Sequence, residues 1–276
     1  MTSGRKGTPC QQEPLFIGGR YNKYSRTVSQ TPWFIDGNKK VADSVEDFIK
    51  DGIKLFIPHS KSKFSASGRE DVDVRMLGNG RPFVLEINDF EGKKDEVTAE
   101  LLSKCQSMVN ELSKGRVTVR DLQLVNRTQV NLFQKEDDLE KQKEYSALCC
   151  IDKPLSLEDM NRINKSFVTM KIQQKTPIRV LHRRPLATRE RSIYSLEVLP
   201  HEPRDKTSEV LPQLFHKFTL RVTTESGAYI KELVHGDIGR TRPSLADLIG
   251  GDRKTDIISL DVEQVIVDWP PKTAND

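Results

Sequence analysis

The segment SGREDVDVR places three acidic residues within four positions, with an arginine on either side of them. The acids are Glu70, Asp71 and Asp73, and the arginines are Arg69 and Arg75. On an extended strand, the side chains at 69, 71, 73 and 75 would share one face. Neighbouring carboxylates disfavour each other's ionisation unless positive charges compensate, and interleaved arginines supply that compensation. A carboxylate held ionised in this way could act as a nucleophile or a general base.

Two other interpretations of this segment stay open. It could be a turn followed by an exposed strand, with Val72 and Val74 facing inward and the charges solvated. It could also bind a divalent cation through Asp71 and Asp73, although two arginines beside two acids make a poor cation site.

The segment VLHRRPLATRERS is strongly basic and contains His182, Arg183 and Arg184, with further arginines at 189 and 191 and another, Arg179, directly before it. Guanidinium groups match the geometry of phosphate oxygens, so the segment is predicted to bind phosphates. The alternative is a solvated basic turn. Because the net charge of the chain is only +4, a nucleic-acid partner requires that positive charge be concentrated locally, as it is here.

Two further segments carry side chains that could contact a base or a carboxylate. Tyr145 in KEYSA is either an ordinary surface tyrosine of a sheet or a platform on which a base stacks. Tyr229, Lys231 and Leu233 in SGAYIKELVHGDIG begin a predicted helix, which could be simply amphipathic. A lysine in the first turn of a helix is slightly unfavourable with the helix dipole, which suggests a partner carboxylate for Lys231.

Hydrophobic periodicity predicts interspersed strands and helices that position these side chains. Helices are predicted over 44–53, over about 96–114, after a capping box at Ser156 and after the turn at Ser226. Several predicted strands follow one another closely, and the last 14 residues before Pro270 are predicted to form two short strands around Asp261. The pattern indicates an α+β fold, with a mixed, mainly antiparallel central sheet flanked by helices.

Other stretches lack periodicity. Residues 1–22 are predicted to be a disordered tail or a remnant of expression, and the polar run 134–144 is predicted to be an exposed helix end or loop. The remaining residues, 23–276, would then form one domain of two lobes around a cleft.

The missing motifs exclude several classes. No G-x-G-x-x-G or Walker sequence indicates a nucleotide cofactor, and neither H-E-x-x-H nor a C-x-x-C pair indicates a metal. No apolar run approaches the roughly 20 residues that span a membrane. The four cysteines and the lack of a signal peptide suggest a reducing compartment, so we expect an intracellular monomer of the nucleus or the cytoplasm, or both, without membrane association.

Three motifs together resemble those of pseudouridine synthases, and they occur in that superfamily's order. GRED at 68–71 is similar to G-R-x-D, and KEYSA at 143–147 is similar to K-x-Y-x-A. SGAYIKELVHGDIG at 226–239 is similar to S-G-T-Y-I-R/K-x-L-x-x-D-L-G, with Ala228 where threonine is frequent. Longer stretches, among them SQTPWFIDG and KTPIRVLHRRPLATR, resemble the catalytic region of the archaeal and eukaryotic "PUS ten" family over about residues 23–271.

The resemblance implies a pseudouridine synthase fold and the isomerisation of uridine to pseudouridine in the T-loop of tRNA. Position 55 is the implied target and position 54 a second candidate. The uridine would be flipped out of the T-arm, and no cofactor or metal would be needed. Longer family members carry an N-terminal THUMP-type extension with a C-x-x-C zinc site, which this sequence does not show. A non-catalytic RNA-binding protein on the same scaffold and a metal-dependent phosphodiesterase are the rival interpretations.

The resemblance also implies roles for individual residues. Asp71 would be the catalytic carboxylate, Lys231 its ion-pair partner, and Tyr145 the ring that stacks on the flipped uracil. Asp73 and Arg75 would support the site from nearby. Substrate-binding roles would fall to Arg69, Tyr229, Leu233, His182, Arg183 and Arg184.

Overall fold

The computed structural model describes residues 13–136, 141–201, 214–250 and 252–271. The strands are β1 (Leu15–Lys23), β2 (Phe34–Ile35), β3 (Asn38–Lys39), β4 (Ser62–Ala66), β5 (Arg75–Ile87), β6 (Val117–Val125), β7 (Gln142–Ser156), β8 (Met170–Lys175), β9 (Thr188–Pro200), β10 (Leu214–Glu225), β11 (Thr241–Arg242) and β12 (Thr255–Val265). The helices are α1 (Val45–Lys54), α2 (Ala99–Leu112), α3 (Arg127–Glu136), α4 (Leu157–Ser166), α5 (Ile230–His235) and α6 (Leu245–Ile249).

Within these residues ten of the twelve strands form one sheet in the order β11-β8-β9-β10-β7-β12-β5-β1-β6, with β4 added beside β5. Strands β2 and β3 pair with each other in a separate two-stranded sheet. Nearly all neighbours are antiparallel, and β12 with β5 is the parallel pair. Helix α2 packs on α1 and β6, α4 on β9 and β7, and α5 on β12. This architecture confirms the predicted α+β class with a mainly antiparallel sheet flanked by helices.

The helix starts follow the capping signals in the sequence. Ser44 accepts a hydrogen bond from the Asp47 backbone N–H at the start of α1. Ser156 and Asp159 form the predicted reciprocal capping box of α4. These side chains satisfy backbone donors that an isolated helix end leaves unpaired, which fixes where each helix begins.

The parallel pairing of β12 with β5 positions the acidic segment. Val262 of β12 lies opposite Met76 of β5 on one side and opposite Tyr145 of β7 on the other. The loop 67–74 leads directly into β5 at Arg75. The acidic loop and Tyr145 are therefore brought to the same place in the sheet although more than 70 residues separate them in sequence.

The prediction that residues 1–22 form a tail is wrong for Leu15 to Asn22, which belong to β1. All nine residues of β1 are buried between β5 and β6. A strand buried on both faces shows no alternation of polar and apolar residues, so periodicity could not reveal it. Its polar side chains are satisfied internally: Arg20, for example, donates to the carbonyl oxygens of Gly80 and Trp269. Residues 1–12 lie outside the described part of the chain.

Three local predictions also need correction. The segment 69–74 is a loop with a turn, closed by a hydrogen bond from Val74 N–H to the Asp71 carbonyl, so its charged residues do not share the face of a strand. The end of the chain forms one strand, β12, whose register shifts near Ile257 and Val262 account for its broken pattern. In the run 134–144, residues 137–140 lie outside the described ones, but Lys141 and Lys143 are buried rather than exposed.

No helix among the described residues is long and apolar enough to cross a membrane.

Candidate active site

A cleft of about 450 Å³ opens where the acidic loop meets β7, α5 and the basic segment. Four stretches of chain supply its walls: residues 68–71, 143–145, 179–184 and 226–231. The predicted site residues that line it are Arg69, Asp71, Tyr145, Arg183, Arg184, Tyr229 and Lys231. All three motifs therefore meet in one cavity, of a size typical of small-molecule and nucleotide pockets.

Two predicted substrate-binding residues do not line this cleft. Leu233 is completely buried in the hydrophobic core. It lies two residues after Lys231 on α5 and faces the sheet side of that helix, so it supports the pocket wall from behind. His182 is exposed on the basic segment, next to Arg183 but outside the cleft lining.

Asp71 faces a group of cations across the cleft. Arg179 Nη1 lies 2.7 Å from Asp71 Oδ2, and Lys231 Nζ lies 3.5 Å from the same oxygen. Arg183 Nη2 is 3.7 Å from Oδ1. The Asp71 side chain is 30% exposed, so the carboxylate is held by charge and yet open to the cleft. Three cations therefore surround a carboxylate that remains accessible from the cleft.

The predicted ion pair between Lys231 and Asp71 is only the weaker contact of this lysine. Lys231 Nζ donates to both oxygens of Asp73, at 2.9 and 2.7 Å. Burial alone would raise the pKa of Asp73, but the hydrogen bonds and the charge of Lys231 outweigh it and keep that pKa below its ordinary value. Because the loop turns at Val72 and Asp73, both aspartates reach the same lysine, which the sequence spacing alone did not indicate.

Arg75 does not take part in the cleft. Its guanidinium pairs with Asp261 of β12, with Nε 2.9 Å from Oδ1. Arg26 reaches the same carboxylate at 2.7 Å. These pairs tie the first residue of β5 to β12, which is a supporting role of the kind that the resemblance implied for Arg75.

Tyr145 forms part of the deep wall. Burial raises the pKa of its phenol to about 12, so the ring stays neutral at physiological pH. It lies opposite Val262 in the sheet, and its ring packs against the hydrophobic core. A neutral aromatic ring at this depth can stack on a planar base that enters the cleft.

Although Glu70 is among the residues that line the cleft, its carboxylate is fully buried in a polar cluster. Its carboxylate accepts hydrogen bonds from Arg81 Nε at 2.7 Å and from the Tyr21 hydroxyl at 3.0 Å. Burial by itself would lower the pKa of Arg81, but the Glu70 charge raises it above its ordinary value. Arg81 Nη1 also donates to the Ser67 carbonyl at 2.6 Å, and Gln30 donates to the Gly68 carbonyl at 2.9 Å. Buried hydrogen-bond donors thus hold the acidic loop in place.

Gly68 is required by this close packing. Its φ of +82° lies in the left-handed region that favours glycine. A β-carbon at this position would lie 2.7 Å from Lys143 Nζ and 2.9 Å from Arg81 Nη1. The glycine of GRED therefore lets the loop rest directly on the buried cations.

The basic segment forms the wall of the cleft opposite the acidic loop. It begins with a short 3-10 helix, Ile178–Val180, and continues through a turn held by hydrogen bonds from the Arg183 and Arg184 amides to the Val180 carbonyl. His182, Arg183 and Arg184 are exposed, as a phosphate-binding strip requires. The sequence places Arg179 only beside the basic segment and does not indicate a contact with Asp71. Its position against Asp71 depends on the tertiary fold and had no signal in the spacing.

The described residues contain no group of three or more His, Cys, Asp or Glu side chains that could hold a metal ion. Asp71 and Asp73 face cations instead, which is unfavourable for a cation site of the kind weighed for the phosphodiesterase interpretation.

Comparisons with known proteins agree with the motifs that meet in this cleft. The family model described as "Pus10, C-terminal" matches residues 16–266. The chain belongs to the Pus10 C-terminal family. Proteins named tRNA pseudouridine synthase Pus10 from Xenopus laevis and Homo sapiens are each 44% identical to it over 95% of the chain. The protein of the same name from Thermofilum pendens is 35% identical over 92% of it.

The chain spans about half the length of these curated relatives: 47% of the Xenopus protein, 46% of the human protein and 53% of the Thermofilum protein. Among solved structures, a chain of a Cbf5-Nop10-Gar1 complex matches 90% of this chain and 48% of its own length, with 18% identity and a TM-score of 0.43. That score is too low to support an argument about fold or function.

Proposed function

We propose that this chain is the catalytic domain of a tRNA pseudouridine synthase and converts uridine to pseudouridine in the T-loop. One observation carries the proposal. In a chain of the Pus10 C-terminal family, Asp71, Tyr145 and Lys231 come from three distant motifs and line a single cleft. The target is position 55 of tRNA, with position 54 as a second candidate, and the chain acts as a monomer on the T-arm.

The reaction is an isomerisation that balances without an oxidant, a reductant or an energy source. The bond between uracil N1 and ribose C1′ breaks, the base turns within the cleft, and C5 is joined to C1′. The proton leaves C5, and N1 gains one. The target uridine is paired or stacked within the folded T-loop, so it is first flipped into the cleft.

Asp71 supplies the ionised carboxylate that this chemistry requires. It acts either as a nucleophile or as the base that removes a proton from the nucleoside. The neighbouring cations hold the carboxylate in place by charge, and Lys231 contributes through its contacts with both Asp71 and Asp73. Tyr145 stacks on the uracil and, as a neutral phenol, assists proton transfer at C5.

The remaining contacts bind the RNA backbone. Arg69 is exposed at the edge of the cleft, where its guanidinium reaches the nucleotides that flank the flipped uridine. Arg183 and Arg184 on the opposite wall contact phosphates, and His182 extends this surface outward. Tyr229 and the buried Leu233 shape the wall beside the base.

The test is to map pseudouridine in T-arm transcripts after incubation with the purified chain. Transcripts carry uridine at both target positions, or cytidine at 54 or at 55. The proposal predicts pseudouridine at position 55, and its loss when that uridine is replaced. RNA binding without any pseudouridine would instead support the non-catalytic RNA-binding interpretation and contradict the proposal.

A further inference from the structure

Arg179 makes the closest contact of the three cations that pair with Asp71. Its Nη1 lies 2.7 Å from Oδ2, within the range of a charge-assisted hydrogen bond. Lys231 is 3.5 Å from the same oxygen because it uses its short hydrogen bonds on Asp73. Arg183 is 3.7 Å from the other oxygen. The lysine that the motif supplies is therefore not the principal partner of Asp71 in this arrangement.

Arg179 is itself anchored by a buried carboxylate. Its Nε lies 2.7 Å from Glu232 Oε1, and its Nη2 lies 3.4 Å from Oε2. The Glu232 side chain is only 1% exposed, whereas Arg179 is 36% exposed. A buried carboxylate without a positive partner is strongly unfavourable, so Glu232 fixes the guanidinium where it lies.

Neighbouring groups restrict the orientations that the Arg179 guanidinium can adopt. The guanidinium carbon lies 6.0 Å from the centre of the Tyr229 ring. The Ile178 N–H donates to Asp237 Oδ2 at 3.3 Å, which fastens the start of the basic segment beside α5. The planar guanidinium thus spans two carboxylates, one buried and one in the cleft, a geometry that a lysine ammonium cannot reproduce.

We propose that Arg179, anchored by Glu232, is a positioning residue that fixes the orientation of the Asp71 carboxylate for the reaction. This inference rests on the proposed function of the cleft. Arg179 hydrogen-bonds Oδ2, whereas Arg183 Nη2 lies 3.7 Å from Oδ1, too far for a hydrogen bond, so Oδ1 is the oxygen left to react. The arginine acts through Asp71, and Glu232 acts through the arginine.

The test is a double-mutant cycle on the single-turnover rate at saturating RNA. Arg179→Met is expected to lower that rate roughly 10- to 100-fold, the size expected for one charge-assisted hydrogen bond, and to change the Kd for T-arm RNA by less than about threefold. Glu232→Gln is expected to lower the rate in the wild-type background but not further in the Arg179→Met background. If the two substitutions instead reduced the single-turnover rate by independent factors that multiply, the proposal that Glu232 acts through Arg179 would be overturned.

Two additional variants keep the test decisive. Arg179→Met leaves Glu232 buried without its partner, so Arg179→Met/Glu232→Met supplies an apolar pair in case the single variant does not fold. The double variant is expected to fold and to show the same slow step. Arg162→Met, which removes an exposed arginine of α4 that pairs with Asp159, is the control and is expected to leave the rate unchanged.

The two proposals fail in different ways. An active wild-type chain whose Arg179 variants keep their rate but lose RNA affinity would overturn the positioning role and make Arg179 a phosphate contact. A wild-type chain that forms no pseudouridine at all would overturn the proposed function itself.

Discussion

Glu70 and Asp71 are adjacent acidic residues that occupy opposite environments. The Glu70 side chain is fully buried and is paired with Arg81 and Tyr21 beneath the loop. Asp71 is 30% exposed and faces Arg179, Arg183 and Lys231 across an open cleft. The comparison shows how one short segment divides its charges. The buried carboxylate of Glu70 holds the loop against the sheet, and the carboxylate of Asp71 is accessible from the cleft.

The largest expected difference between the buried Glu70 and the accessible Asp71 is in their contribution to the free energy of unfolding. Glu70→Gln leaves the buried Arg81 without a counter-charge, so it is expected to cost about 3 kcal/mol of unfolding free energy. That loss lowers the melting temperature by roughly 6–12 °C in a chain of this size. Thermal unfolding followed by circular dichroism checks it. Glu197→Gln, which removes a half-exposed carboxylate 3.9 Å from Arg221, is the matched control and should have little effect. Equal losses in the two variants would contradict the distinct role of Glu70.

The second prediction concerns the two aspartates that Lys231 contacts. Lys231→Met removes a cation from Asp71 and from Asp73, and is expected to slow the single-turnover reaction by about 10- to 30-fold. Asp73→Asn leaves Asp71 with Arg179 and should slow it only about two- to threefold. Tritium release from RNA labelled at uridine C5 measures both rates. A larger loss for Asp73→Asn than for Lys231→Met would make Asp73 the more important carboxylate.

The third prediction sharpens the contrast between the cleft and its basic wall. Arg183→Met and Arg184→Met are each expected to weaken T-arm binding and to reduce the slope of log K against log salt concentration by about 1. Fluorescence anisotropy titrations at several salt concentrations measure that slope. The control, Arg162→Met, should leave it unchanged. A slope that does not respond to either substitution would remove these arginines from the phosphate contacts.

The smallest expected effect is that of removing metal ions. In excess EDTA, with a T-arm folded in monovalent salt, the rate is expected to stay within about twofold of its value without chelator. Asp71 and Asp73 face cations from the protein, so we expect no divalent ion to be needed at these carboxylates. Loss of the reaction in EDTA, restored by added Mg²⁺ or Mn²⁺, would revive the metal interpretation of the acidic loop.

Much of the fold could be predicted from local pattern. The predicted helices over 44–53 and about 96–114 and the capping box at Ser156 are properties of single segments, and all of them are found in the structure. Strand β1 could not be predicted because burial on both faces removes the alternation. The alternation of valines with acids in the segment that carries Asp71 also permits an extended strand, whereas the observed turn depends on Gly68 and on the buried side chains of Gln30 and Arg81, which donate to carbonyl oxygens of the loop.

The candidate site likewise has one part that the motifs predict and another part that depends on tertiary contacts. The resemblance of three motifs to those of pseudouridine synthases predicts that Asp71, Tyr145 and Lys231 belong together, and all three line the cleft. The choice of ion-pair partners was not predictable, because it depends on which side chains can reach across the cleft. Lys231 reaches Asp73 first, and Arg179 takes the place next to Asp71 because Glu232 is buried behind it. Such pairings follow from tertiary distances of a few ångströms and leave no periodic signal in the sequence.

The most direct measurement is the single-turnover rate of Asp71→Asn on T-arm RNA, made beside a determination of its Kd and its melting temperature. We predict that the rate of tritium release falls by at least about 10³-fold. The Kd for T-arm RNA should stay within about threefold, and the free energy of unfolding within about 0.5 kcal/mol, of the wild-type values. A variant that still forms pseudouridine at a rate comparable to that of the wild-type chain would contradict the assignment of the open carboxylate as the group that performs the chemistry.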